Sequence, residues 1–207
     1  SFCDQSIFGH MYRYHSAKRV VDEMEHVINE YGAKEISIVD DNFTINKDRV
    51  IGICDEIIKR EIKVNWNARL HVNTVTRELL EKMRKAGCWY LEFGVESGNQ
   101  EILIFIKKYS RIEHIREVAQ WTYELGFRTK GFFMIGHPKE TKETLNQTIE
   151  FAKSLPLTDI VVTFNTPLPN TDQSKIADQY GTTEKVDWSN FSMWKPVYIP
   201  HGLTAED

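Results

Sequence analysis

The sequence predicts an α/β fold: an incomplete (β/α) TIM-like barrel followed by a C-terminal aromatic arm. Apolar runs of strand length alternate with amphipathic stretches of helix length, and each apolar run ends in polar residues or glycine. Strands that are joined by helices in this way are expected to be parallel, because each connection is then a right-handed helical crossover. Neither a Gly-x-Gly-x-x-Gly turn nor a Walker loop occurs, which favours a barrel over a doubly wound sheet.

Five strands are predicted, and the residues after their carboxyl ends are the candidates for a site. The strands are expected at Glu35–Val39, Val64–Ala68, Tyr90–Gly98, Arg128–Ile135 and Asp159–Thr166. In a barrel these ends gather at one rim, so the residues after them should share one mouth. The parent barrel is expected to have about six strands. Because the chain lacks an initiator Met and a leader, the first strand is expected to precede Ser1.

Six helices are predicted around these strands. They are expected at Ala17–Tyr31 and Lys47–Arg60, between Thr76 and Gly87, shortly after Gly98, and at Arg111–Leu125 and Lys142–Leu155. In the first helix, Val20, Met24 and Val27 form one apolar stripe, and Gly32 ends the helix as a C-cap. Residues 1–170 are therefore assigned to the partial barrel.

Residues 171–207 are predicted to form an extension that packs on the barrel. Residues 172–180 are expected to form one more helix. The aromatic residues that follow either cover the opening of the barrel or plug its flank; they are Trp188, Phe191, Trp194 and Tyr198.

The composition of the chain limits the classes of protein to which it can belong. With 207 residues and 41% hydrophobic residues, the chain can bury a substantial core in one domain. A net charge of -4 gives no strong nucleic-acid signal, and no apolar run is long enough for a membrane span. The odd number of cysteines, 3, argues against a disulfide framework. A cytoplasmic location is expected, because free thiols persist in a reducing compartment.

Three carboxylates that follow predicted strands are candidate ligand contacts. Asp40 and Asp41 follow the first strand, where they either close a turn or accept hydrogen bonds from a ligand ammonium. Glu96 lies near the end of the third, beside Ser97 and Gly98. Packing does not require a carboxylate there, so ligand binding is the favoured interpretation.

The other candidate residues carry weaker signals. Arg69 either pairs with Asp41 or Glu96 or holds a ligand carboxylate in its guanidinium fork. The histidines lack a close metal-ligand spacing, so zinc catalysis is weakly supported. Cys54 is expected to be a small core residue. Cys3 is a lone cysteine in a loop and alone indicates little.

Five stretches together resemble the radical S-adenosylmethionine superfamily, most closely its branch with an upstream cobalamin-binding domain. They are Phe2-Cys3-Asp4-Gln5, residues 39–43, residues 93–98, residues 131–140 and residues 167–171. Each stretch is a weak signal alone. Their order and spacing extend the resemblance over nearly the whole chain.

The resemblance implies a 4Fe-4S cluster held by three cysteines, and Cys3 matches the third of them, as a metal ligand and catalytic residue. The other two would lie upstream of Ser1, so this chain alone is expected to be inactive. S-adenosylmethionine would bind at the cluster. Phe2, Ile135 and Gly136 are implied to contact its adenine, where a glycine allows close approach of the backbone.

The resemblance also assigns the rest of the S-adenosylmethionine molecule. Asp41, with Asp40 beside it, is implied to bind the methionine amino group. Glu96 is implied to contact the ribose. Ser97 and Arg69 are the candidates for the methionine carboxylate. Any cobalamin would bind in a domain outside this chain.

The activity that the resemblance implies is reductive cleavage of S-adenosylmethionine to a 5′-deoxyadenosyl radical, in a parent methyltransferase or cyclase. The substrate would be an unknown small molecule, and the electron would come from a donor such as flavodoxin or ferredoxin. Two alternatives remain open. One is a divalent-metal barrel hydrolase using Asp41, Glu96 and a histidine, and the other is a non-catalytic ligand-binding barrel.

Overall fold

A five-stranded parallel sheet forms the centre of the molecule. The structure, a computed structural model, describes residues 2–3, 9, 11–183 and 191–207. The strands β1 to β5 are Glu35–Ile38, Asn65–Leu70, Cys88–Glu96, Arg128–Ile135 and Asp159–Phe164. They lie in the order β1-β2-β3-β4-β5, each parallel to its neighbour in sequence. This order confirms a partial barrel, because a doubly wound sheet reverses direction at a switch point.

The helices lie close to the predicted positions. Helices α1 to α7 are Ala17–Tyr31, Lys47–Lys59, Arg77–Lys85, Gln100–Phe105, Ile112–Glu124, Lys142–Ser154 and Ala177–Tyr180. Five begin at an N-cap whose side chain accepts a backbone N–H of the first turn; the caps are Ser16, Asn46, Thr76, Asn99 and Thr141. Satisfying these otherwise unpaired N–H groups fixes where each helix starts.

Alternate residues of the strands point to two different faces of the sheet. The helix face, which packs against the helices, carries Trp66, Leu91, Phe93 and Phe133, all at most 1% exposed. The opposite face carries polar and charged residues. We call this surface the open face and define it by Asn67, Arg69, Tyr90, Glu92 and Lys130.

The observed bounds of β2 and β3 differ from the predicted ones in ways that affect candidate site residues. β2 continues to Leu70, so Arg69 lies inside the strand rather than beyond its end. β3 already begins at Cys88 and ends at Glu96, where the backbone turns left-handed with φ 66°. Strand pairing with β3 extends β2, because Arg69 and Leu70 are in register with Glu92 and Phe93.

The C-terminal segment differs more from the prediction. Helix α7 covers only Ala177–Tyr180, and two short antiparallel strands, β6 at Gly181–Thr183 and β7 at Tyr198–Pro200, were not predicted. Tyr198 is buried, but Trp194 is 64% exposed, so the described part of the arm is not uniformly packed.

Some predicted features fall outside the residues that the structure describes. These are Asp4 and Gln5 of the cysteine-containing stretch and Trp188 of the arm. Among the described helices, none combines the length and the apolarity that crossing a bilayer would require.

Candidate active site

The carboxyl ends of the strands carry a concentration of unusual backbone conformations. Among the described residues, six that are not glycine have positive φ, and five of them lie at the last residue of β3 or in segments that follow β3, β4 or β5; these five are Glu96, Lys107, Tyr109, Lys139 and Asn170. Left-handed conformations cost energy in residues with a Cβ and concentrate at functional sites. The strained backbone therefore indicates this rim as the candidate functional site.

Cys3 lies at this rim beside residues from three strands. Although Cys3 is exposed, the surrounding chain displaces water, and this desolvation is the largest cause that raises the pKa of its thiol. The negative charges of Glu96 and Asp41 raise this pKa further, while the positive charge of Lys108 lowers it. The ring of the preceding Phe2 lies 6.3 Å from that of His137. The ends of β1, β3 and β4 thus meet around the Phe2–Cys3 segment.

Glu96 forms an ion pair that was not predicted. Its Oε1 lies 3.0 Å from Nζ of Lys108, and both side chains are largely buried, at 10% and 12% exposure. Two strained residues, Lys107 and Tyr109, flank Lys108. Gly94 leaves the space for the pair, because a Cβ there would contact both Glu96 Oε1 and Lys108 Nζ. Several local features therefore hold one carboxylate and one ammonium together at the mouth.

The two aspartates after β1 have different surroundings. Asp40 Oδ1 lies 3.6 Å from Nη1 of Arg49, whose guanidinium also stacks on Phe43. Asp41 is exposed and has no ion pair among the described residues. Asn42 accepts the backbone N–H of His71 at 3.3 Å, which ties the ends of β1 and β2 together. Asp41 is thus the aspartate whose carboxylate is available to a ligand.

The turn after β4 is held by a buried carboxylate. Gly136 has φ +81°, a conformation that favours glycine. Glu140 Oε2 accepts the backbone N–H groups of both Gly136 and His137, the second at 3.1 Å. Burial raises the pKa of Glu140 to about 7, against the opposing effect of these two hydrogen bonds. The carboxylate thus fixes the backbone of the turn through two hydrogen bonds.

His137 is fully buried beside this turn. Neither of its ring nitrogens has a hydrogen-bond partner among the residues that the structure describes. Burial lowers the pKa of His137 to about 3, so the imidazole is neutral. The Oδ1 of Asn165 and the Oε1 of Glu140 are also buried without a partner in the described part of the chain. Unpaired buried polar atoms are rare, so this buried polar cluster is suited to an ordered water or a polar ligand.

The structure gives two predicted carboxylate-binding residues other roles. Ser97 is fully buried, where its Oγ lies 3.1 Å from Oγ1 of Thr148 and accepts the backbone N–H of Asn99. Arg69 lies on the open face and donates from Nε to Glu92 at 3.0 Å, rather than pairing with Asp41 or Glu96. Ser97 thus docks α6 against the end of β3.

Three residues of the rim were missed by the sequence reading. Lys108 lies 12 positions after Glu96, in a stretch with no helical or strand period that would place it opposite the carboxylate. Glu140 was quoted only as part of a resembling stretch. Its position four residues after Gly136 in a Gly-x-x-x-Glu turn was the available signal. His71 directly follows β2 and was not selected as a site residue.

The donor groups at the rim fit a thiol-bound cluster better than a metal held by oxygen and nitrogen ligands. Within the described residues, no group of three or more His, Cys, Asp or Glu side chains could hold a metal ion. Cys3 is accessible, whereas Cys54 and Cys88 are buried in the core, where burial raises the pKa of Cys54 to about 12. Cys3 is thus the thiol of this rim that could bind iron. The arrangement does not favour a divalent-metal hydrolase.

The family model "Radical SAM superfamily" matches residues 1–152. The chain belongs to the radical S-adenosylmethionine superfamily. This membership confirms the resemblance drawn from the five stretches.

Curated relatives match this radical S-adenosylmethionine chain from end to end. An uncharacterized methyltransferase of Pyrococcus horikoshii is 34% identical over 206 residues, which is 99% of this chain and 45% of that protein. An anaerobic magnesium-protoporphyrin IX monomethyl ester cyclase of Cereibacter sphaeroides is 33% identical over 209 residues, 99% of this chain and 34% of that protein. The chain therefore spans less than half the length of these relatives.

A solved structure shows the same fold. The methyltransferase TsrM of Kitasatospora setae, a radical S-adenosylmethionine enzyme solved with cobalamin and a [4Fe-4S] cluster bound, superposes with a TM-score of 0.78. The match covers 86% of this chain and 36% of that one at 20% identity. At this identity the likeness supports the partial barrel alone.

Proposed function

We propose that this chain is the S-adenosylmethionine-binding core of a radical S-adenosylmethionine enzyme whose whole protein is a methyltransferase or cyclase. The observation that carries the proposal is the meeting of Cys3, the Glu96–Lys108 pair and the Gly136 turn at one rim. Relatives named as a methyltransferase and a cyclase support the two reaction classes. A cobalamin domain would lie outside this chain, and an electron donor such as flavodoxin or ferredoxin would serve it.

Each rim residue has a role that matches its chemistry. Cys3 is one cluster ligand, and the exposed Asp41 accepts hydrogen bonds from the methionine ammonium. Glu96 contacts the ribose, and its partner Lys108 replaces Ser97 and Arg69 as the group for the methionine carboxylate. The cluster and S-adenosylmethionine, when bound, supply reductive cleavage of a sulfonium and a radical that abstracts hydrogen.

The adenine would lie against the β4 turn. Glu140 holds the N–H groups of Gly136 and His137, which fixes the backbone that faces the base. Ile135 and Phe2 are both half-buried and offer apolar contact on either side. His137 is neutral, and its ring nitrogens have no partner among the residues that the structure describes, so it can donate or accept a hydrogen bond there without adding charge.

The test is cluster assembly and S-adenosylmethionine cleavage. The family resemblance implies two cluster ligands besides Cys3, so the experiment uses a polypeptide that includes them, reconstituted with iron and sulfide without oxygen. We expect visible cluster absorbance and 5′-deoxyadenosine formation with a strong reductant. Cys3→Ala should abolish both, whereas Cys54→Ala, which removes a buried thiol of the core, should keep both. Stoichiometric zinc or manganese without cluster absorbance would instead support a hydrolase.

A further inference from the structure

His71 occupies the rim directly after β2, between the segments that carry Asp41 and Lys108. Its backbone N–H donates to Oδ1 of Asn42 at 3.3 Å, which joins it to the end of β1. The hydroxyl of Thr74 donates to the carbonyl of His71 at 2.7 Å, and its oxygen also lies 3.3 Å from Oδ1 of Asn42. The backbone of His71 is thus fixed from both sides.

The ring of His71 is fixed as well. Its Nδ1 accepts the backbone N–H of Asn73 at 3.2 Å, so a neutral ring carries its proton on Nε2. The side chain of Asn73 donates from Nδ2 to the carbonyl of Tyr109 at 3.1 Å. Asn73 therefore joins the imidazole to the segment that aims Lys108 at Glu96.

The ring stays neutral near physiological pH. Burial, and second the charge of Lys108, lower the pKa of His71 to about 4. The Nε2–H group has no hydrogen-bond partner in the described part of the chain, and the residue is only half-buried. His71 thus offers one oriented, uncharged donor at the rim.

We propose that His71 binds the methionine carboxylate of S-adenosylmethionine together with Lys108, through its Nε2–H. This inference rests on the proposed function. A carboxylate has two oxygens, and the Lys108 ammonium already shares its charge with Glu96, so a second donor completes the site. A neutral donor suits this place, because another cation beside Lys108 would be disfavoured by repulsion.

The experiment measures dissociation constants for two probes on the reconstituted protein. S-adenosylmethionine carries the carboxylate, whereas 5′-methylthioadenosine keeps the adenine and ribose but lacks the amino acid part. We expect His71→Phe to weaken S-adenosylmethionine binding about tenfold, the usual effect of one lost hydrogen bond to a charged group. Binding of 5′-methylthioadenosine should not change.

Two further variants separate the donor from the fold. His71→Gln places an amide N–H near the position of Nε2 and should restore binding to within about threefold of the unmodified protein. His26→Phe, the same substitution at an exposed histidine of α1, should leave both dissociation constants unchanged. A wild-type measurement with decarboxylated S-adenosylmethionine, which needs no variant, should show a loss of at least tenfold.

The outcomes distinguish the two proposals. If the unmodified protein binds S-adenosylmethionine and His71→Phe changes neither constant, or weakens both probes equally, the role of His71 is overturned while the proposed function stands. If the folded, reconstituted protein binds no S-adenosylmethionine, the proposed function fails and the inference falls with it.

Discussion

The two faces of the five-stranded sheet are built from alternate residues of the same strands, yet their chemistry is opposite. On the helix face, Trp66, Leu91 and Phe133 are at most 1% exposed and pack among aliphatic side chains. On the open face, Glu92 lies 3.0 Å from the cations of both Arg69 and Lys130. A closed TIM barrel fills its interior with branched apolar residues. The charged open face is therefore suited to lining a chamber, while the helix face supplies the burial that stabilises the fold.

The largest expected effect comes from breaking the helix face. Trp66 is fully buried, donates from Nε1 to the carbonyl of Ala86 at 2.7 Å and packs edge-on against Phe43. Trp66→Ala should lower the free energy of unfolding by roughly 4 kcal/mol, because it leaves a cavity and removes a hydrogen bond. Denaturant unfolding followed by circular dichroism measures the change.

Trp89 provides a matched control on the adjacent strand. Its indole N–H donates to Glu35 at 3.0 Å in an exposed setting, and the residue is only half-buried. Trp89→Ala should cost about 1 kcal/mol. Equal losses for the two tryptophans would contradict the view that the helix face carries the stability.

The second effect concerns the rim and depends on pH. Glu140 has a pKa raised by burial to about 7, whereas an unfolded glutamate titrates near its ordinary value of about 4.3. Between these values the folded state holds more protons than the unfolded state, so stability falls as pH rises and is lowest above pH 7. Ionisation of Glu140 should therefore make the free energy of unfolding roughly 3 kcal/mol lower at pH 8 than at pH 4.

Two variants of Glu140 test the sign. Glu140→Gln keeps an acceptor for the N–H groups of Gly136 and His137 but cannot ionise, so it should match the unmodified protein at pH 5 and exceed its melting temperature at pH 8. Glu140→Ala should be less stable than Glu140→Gln at both pH values. Parallel melting curves for the glutamine variant and the unmodified protein at pH 8 would show that the buried carboxyl does not titrate as described.

The elements of the fold were largely predictable because each helix face and strand carries a strong local pattern. The apolar stripe and the glycine C-cap of α1 placed that helix at its observed bounds, and α2 ends one residue before its predicted end. The end of β2 was not predictable from its own composition, because pairing of Arg69 with Glu92 across the sheet extends the strand. Strands β6 and β7 are three residues each and pair with one another. Each is too short to show an alternation of apolar and polar residues in the sequence.

The site was predictable to the extent that it follows from strand ends. Asp41, Glu96 and Gly136 lie where the parallel order of the strands requires. Lys108 was not predictable, because its place depends on two left-handed residues within an irregular loop. Ser97 was predicted to bind a ligand because it follows a candidate carboxylate. Its position in the sequence could not show that its hydroxyl instead forms a hydrogen bond with Thr148 inside the protein.

The third effect compares a glycine-to-alanine substitution on the open face, at Gly94, with one on the helix face, at Gly131. A Cβ at Gly94 would contact Glu96 Oε1 and Lys108 Nζ, the ends of flexible side chains that can move aside. Gly94→Ala should cost no more than about 1 kcal/mol of stability but weaken S-adenosylmethionine binding about tenfold, because it displaces the ion pair. A Cβ at Gly131 would lie 2.7 Å from Leu157 Cδ1 in the core.

Gly131→Ala should thus give the opposite result, a loss of about 1–2 kcal/mol in stability with unchanged affinity. Thermal melts and binding titrations on both variants supply the comparison. If Gly94→Ala binds S-adenosylmethionine normally, the Glu96–Lys108 pair is not part of the ligand site.

The smallest effect is expected on the open face itself. Partial burial acts to raise the pKa of Glu92, but the hydrogen bonds from Arg69 and Lys130 and the charges of these two residues together lower it. Glu92→Gln leaves two cations facing one neutral amide and should cost about 1 kcal/mol, with the larger loss at low salt. Arg69→Met removes a half-exposed partner and should cost under about 0.5 kcal/mol.

Urea unfolding at two salt concentrations measures both variants. Glu92→Gln is expected to cost more than Arg69→Met because Glu92 forms ion pairs with two cations on neighbouring strands. Arg69 pairs with one carboxylate and is half-exposed to water. A loss for either variant as large as that of Trp66→Ala would mean that the charged row, and not the apolar face, holds the strands in register.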